Sequence, residues 1–115
     1  MRPVTVNLGP GAATNATSAM ANLDEWADAP LGVQLVVTAG TATVQHSMDN
    51  PCDLVNPVPV GSMVWDTSLV PAGAIGATGT ISFSIATAPL WMRILAATGP
   101  ATARMTLVQY NVTEP

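Results

Sequence analysis

Apolar and polar positions alternate with a period of two in two places along the chain. In residues 79–87, Ile81, Phe83 and Ile85 alternate with Thr80, Ser82, Ser84 and Ala86, the pattern of a strand that turns one face to a core. Val4, Val6 and Leu8 alternate in the same way with Thr5 and Asn7, and Gly9-Pro10-Gly11 ends that run. Residues 1–11 therefore read as an edge strand or an N-terminal arm. Elsewhere ten Pro and nine Gly interrupt short runs rich in Val, Ile, Thr and Ala, so the pattern predicts many short strands and no sustained helix.

Residues 30–43 can be laid without a gap over residues 89–102. The shared frame is Pro-Leu, a polar residue three positions after the Leu (Gln34 or Arg93), an aliphatic run, and Gly-x-Ala-Thr. Each half reads as a β-hairpin turning at Gly40 or Gly99, and two similar hairpins predict two facing sheets. Residues 12–29 carry a weaker pattern, from which we expect a strand near 16–21 and a corner at Asn22-Leu23-Asp24-Glu25, with Trp26 closing the core edge. The connector 50–79 is expected to hold a strand-like piece at 62–65 and a flexible Gly-rich surface loop at 73–79. The whole chain, 1–115, is thus expected to form one all-β domain, an antiparallel β-sandwich of about seven or eight strands, jelly-roll or immunoglobulin-like. Its expected core is Val4, Val6, Val33, Leu35, Val37, Val44, Trp65, Ile81, Phe83, Ile85, Ile94 and Val108.

Composition changes this picture at the surface. At 115 residues the chain suits one core. Only 9% of residues are charged, against about 25% in an ordinary domain, and lysine is absent. Uncharged surface of that extent calls for coverage by other protein. The net charge of -4, with Arg2, Arg93 and Arg104 as the only cationic side chains besides His46, argues against nucleic-acid binding, which needs clustered cations. No run approaches the roughly 18 apolar residues of a membrane span. The N-terminus lacks a signal-like apolar stretch and reads as a mature start. Cys52 is the only cysteine, so an intramolecular disulfide is excluded and intracellular synthesis is expected.

Few residues offer chemistry. His46, Ser47 and Asp49 contain the residue types of a hydrolase, but neighbours on a strand face opposite ways and cannot serve each other as base and nucleophile. Asp24, Glu25 and Asp28, or Asp49 and Asp53, lack the spacing of a calcium loop and read as solvated turn carboxylates. His46 and Cys52 have no further ligands for zinc. The sequons at Asn15 and Asn111 have no function without a secretory route. The Gly-rich 73–79 lacks the Lys and the following helix of a phosphate loop. Trp26, Trp65 and Trp91 can be read as a sugar-stacking platform, though aromatics of small β domains more often fill cores and interfaces. No enzyme activity and no cofactor is expected.

Residues 41–51, Thr-Ala-Thr-Val-Gln-His-Ser-Met-Asp-Asn-Pro, and residues 89–109 resemble a group of small virion proteins of tailed bacteriophages. The shared pattern runs from a Gly-Thr-Ala-Thr segment into Val-x-His-[Ser/Thr]-x-Asp-[Asp/Asn]-Pro, then a lone Trp (Trp65), then Arg93-Ile94, a Gly hairpin at Gly99 and a last strand closing in Val108-Gln109. Cys52 and Ala96-Ala97 depart from it. The resemblance covers about residues 30–109 and implies a β-sandwich that cements or decorates capsids. It implies copies at local symmetry axes, as homotrimers bridging the major capsid protein on the virion surface after assembly in the host cytoplasm. The candidate contact residues are Arg2, Val4, Val6, Trp26, Trp91, Arg93 and Tyr110. The alternative is a tail or fibre component that binds a host-surface glycan through exposed Trp side chains.

Overall fold

The computed structural model describes residues 3–23, 30–49, 51, 54–86, 89 and 91–109. Arg2, Trp26 and Tyr110, the carboxylates at 24, 25, 28 and 53, Cys52 and Asn111 lie outside them. The all-β antiparallel class holds: the strands are β1 (Val4–Ala12), β2 (Ala21–Asn22), β3 (Leu31–Ser47), β4 (Ala77–Ile85) and β5 (Trp91–Gln109). They form one hydrogen-bonded sheet in the order β1-β5-β3-β4, with β2 also on β5. Among the described residues five strands stand in place of the expected seven or eight, because the segments read as hairpins are single long strands.

β3 is 17 residues long and β5 is 19. A straight strand of β5's length would reach about 60 Å, yet the longest dimension of the molecule is 38 Å. The strands are therefore bent, and the pairing shows where. Val37 pairs with Ala103, but Thr41 pairs with Thr98 and Ala42 with Ala96, so extra β5 residues bulge at Gly99-Pro100. On the other side of β5, Leu8 pairs with Ala103 and Ala12 with Ala101, which places Gly9, Pro10 and Gly11 opposite Thr102 alone. Bulges at one level in three adjacent strands crease the sheet. Gly40 and Gly99 thus mark a crease and not two turns. Gly40 has φ +65, and a Cβ there would lie 2.5 Å from the Thr98 carbonyl oxygen, so the turn-like glycine permits close backbone approach.

Below the crease the alternation does what the sequence predicts. Val6, Met105, Leu35 and Ile81 stand in one row across β1, β5, β3 and β4, and Val4, Leu107, Val33 and Phe83 in the next. The opposite face carries Asn7, Arg104, Val36 and Thr80, then Thr5, Thr106, Gln34 and Ser82. Above the crease Ala42 and Val44 pair with Ala96 and Ile94, all fully buried. Residues from both halves belong to one apolar cluster, which Leu23, Val70 and Ala74 from outside the strands complete. Burying a side chain the size of Leu35 or Ile94 contributes about 1.5–3 kcal/mol.

Several expectations need correction. Of the two readings of residues 1–11, the described part is the edge strand, with β1 paired with β5 along Val4–Leu8. The expected strand at 16–21 is an irregular strip along upper β5, with an isolated bridge from Thr17 to Leu95 and main-chain bonds from Asn15 to Ala96 and from Ser18 to Ile94. The piece at 62–65 begins in a 3-10 turn, Val60–Ser62. The Gly-rich loop is anchored: Ala74 and Ala77 are buried, and the Gly76 N–H donates to Thr43 Oγ1 at 2.8 Å. Val108 is half-buried on the outer face while Leu107 enters the core, Val4, Ile81 and Phe83 are half-buried against its margin, and Trp65 is half-buried but not among the residues that pack on it.

Candidate functional site

The upper half of β3 has β5 on one edge and a strap of connector on the other. His46 and Asp66 exchange both main-chain hydrogen bonds, each 2.9 Å, which pins the strap to the strand. The Asp66 carboxylate then accepts the Thr67 and Ser68 N–H groups at 2.6 and 3.0 Å and the Ser68 hydroxyl at 2.9 Å. An Asp followed by two small polar residues builds this turn locally. It turns the chain so that the Leu69 N–H donates to His46 Nε2 at 3.1 Å. His46 is buried, and that burial pushes its pKa below the ordinary value, against a smaller upward pull from Asp66. The Asp66 carboxyl lies below its ordinary value because the Ser68 hydroxyl and then the two N–H groups stabilise its charge.

His46, Ser47 and Asp49 do come close together, beside a cavity of about 160 Å³ that Met48, Val64 and Asp66 complete. Each is engaged structurally. Nε2 of His46 holds Leu69, Ser47 Oγ accepts the Asp49 N–H at 3.1 Å, and the Asp49 carboxylate accepts the Val64 N–H. The arrangement closes the base of an excursion through residues 49–64. Among the described residues no group of three or more His, Cys, Asp or Glu gathers as a metal site, and no helix is long and apolar enough to cross a membrane.

The excursion and the strap carry what sequence reasoning missed. Met48, Leu54, Val55, Val60, Val64, Leu69 and Ile75 are the large apolar residues exposed among the described ones, and all fall within residues 48–75. Leu54 is 100% exposed and Val55 81%. The signal was present in sequence as an apolar run, Leu54-Val55 and Val58 to Val60, broken by Pro57 and Pro59 and lacking period-two alternation. Met63, Val70 and Ala74 from the same connector are buried and anchor it.

The residues expected to make contacts are differently placed. Val6 and Trp91 are buried within the chain itself, Val4 and Arg93 half-buried. The Arg93 guanidinium lies 4.0 Å from the Trp65 ring centre, and its Nε donates to Gln45 Oε1 at 2.8 Å. Trp65 is thereby capped by a cation and Trp91 withdrawn, so these two do not form an exposed sugar-stacking platform. On the outer face below the crease, shallow grooves of about 270 and 240 Å³ run past Arg104 and past Ser82. Comparison with protein-family models, with curated proteins and with solved structures found no match.

Proposed function

We propose that this chain is a non-enzymatic structural protein of a tailed-phage virion, decorating the capsid, and that residues 48–75 present its contact surface to the major capsid protein. The observation that carries this reading is the exposed apolar excursion, with Leu54 and Val55 at full or nearly full exposure, on a chain with 9% charged residues. Exposed apolar surface on that scale is characteristic of protein contacts. Clamping the base of the excursion through Asp49, Val64, His46 and Asp66 lowers the ordering cost on binding. The phage assignment rests on the resemblance carried by residues 41–51 and 89–109. Many copies on a shell add weak contacts through multivalency, so each interface can be small.

The test is a quantitative protein gel of purified particles, together with co-sedimentation of the pure protein with empty shells. The expected result is a copy number comparable to that of the shell protein, with shell binding lost in the Leu54→Asp, Val55→Asp double variant. Six or twelve copies would move the protein to the tail, and absence from particles would overturn the proposal. Trp91 is buried and Trp65 lies under the Arg93 guanidinium, so no observation among the described residues favours the glycan reading, and no second reading is advanced.

A further inference from the structure

Among the described residues the sheet ends in β1 on one side and β4 on the other, and the two edges are unlike. β1 carries Pro10 within a three-residue bulge and follows Pro3, devices that stop a further strand from pairing. β4 is nine residues long, has no Pro and no charged residue, and pairs without interruption from Gly79 to Ile85 with β3. Among the described residues no strand or bridge lies on its outer edge. Half of its main-chain donors and acceptors therefore face outward, and Ile81 and Phe83 are only half-buried.

We propose that the outer edge of β4 binds the same edge of a second copy, antiparallel about a two-fold axis at Ser82. The strand is self-complementary in that register. Ile81 meets Phe83 of the other copy twice on the core side, a β-branched and aromatic pairing that stabilises strand contacts. Thr80 meets Ser84 on the outer side, Ser82 meets itself, and Gly79 meets Ile85. Any even shift keeps the apolar face matched, but the Ser82 register uses the whole ladder from 79 to 85. Charge favours this edge as well. Copies of a chain with net charge -4 repel one another, and β4 offers a contact free of ionic groups. A threefold ring built by strand pairing needs a heterologous joint between two different edges, and the guarded β1 edge does not supply the second.

This inference concerns the free chain and does not depend on the virion reading. Strand pairing of this length buries less than the roughly 1,200 Å² of a stable interface, so the dimer forms with a micromolar dissociation constant. Sedimentation equilibrium of the pure protein from about 5 to 500 μM spans that range. The expected result is a monomer-to-dimer transition that Ser82→Lys weakens at least about tenfold by placing two like charges at the axis. Because the Ser82 side chain is exposed, the variant should keep the wild-type circular dichroism and melting. Thr5→Lys, on the β1 edge, should leave the dimer unchanged. A monomer at every concentration, a trimer, or a dimer indifferent to Ser82→Lys but sensitive to Thr5→Lys would each overturn the proposal.

Discussion

His46 Nε2 accepts the main-chain N–H of Leu69 across 23 positions of sequence, at 3.1 Å. That bond requires an imidazole with Nε2 unprotonated, and it joins the long strand β3 to the strap that carries the exposed apolar residues.

Replacing His46 with Ala removes the acceptor and leaves the Leu69 N–H without its protein partner. Leu69 is itself exposed, so water can reach the freed N–H, and the loss is the roughly 0.5–1.5 kcal/mol of an ordinary hydrogen bond. Urea unfolding should report a loss of that size. Hydrogen exchange should accelerate at Leu69 more than at Asp66, whose N–H still bonds to the residue 46 carbonyl. A variant as stable as the wild type would mean that water replaces the ring without cost.

The same bond sets a pH dependence. His46 is the only histidine, and its folded pKa lies below the ordinary value of 6.5 because burial disfavours the cation. On acidification the unfolded chain binds the proton first. Stability is therefore complete above about pH 6.5 and declines below it, levelling once the folded imidazole also protonates. Asp66, likewise lowered, acts with the same sign in the acidic carboxylate range. Denaturant midpoints measured between pH 7.5 and 5.5 should fall for the wild type and stay flat for His46→Gln.

The crease is tested at Gly40. An Ala Cβ there would lie 2.5 Å from the Thr98 oxygen and 2.6 Å from the Pro100 oxygen, at φ +65. Left-handed backbone alone costs a non-glycine residue about 1–2 kcal/mol, and the overlap with fixed backbone adds to it. At Gly11, φ is +69 but nothing lies within 4 Å of the position. Gly11→Ala should therefore cost only the conformational part, while Gly40→Ala should cost clearly more in thermal and urea unfolding.

Register makes a separate prediction at two adjacent positions. Leu107 is fully buried, and Val108 is half-buried on the other face. Leu107→Ala should lose about 2–5 kcal/mol, as core truncations do, and Val108→Ala less than about 1 kcal/mol. Equal losses in urea unfolding would contradict the assigned faces.

Local alternation determined the all-β class, the strands at Val4–Leu8 and around Ile81 to Ile85, and which side chains of β4 turn inward, because side-chain direction in a strand reverses at every residue whatever the neighbours are. Low charge likewise marked the surface as unusual before any fold was known. Sequence alone did not tell a turn at Gly40 or Gly99 from a bulge. The same glycine chemistry serves both, and only the partner strand decides whether the chain reverses or continues. Tertiary pairing made β3 and β5 single long strands, chose Leu107 over Val108 for the core, and withdrew Trp91. It also brought Leu69 to His46 and left Leu54 and Val55 outside. These outcomes depend on contacts between residues far apart in the chain, and no local pattern of polar and apolar positions encodes them.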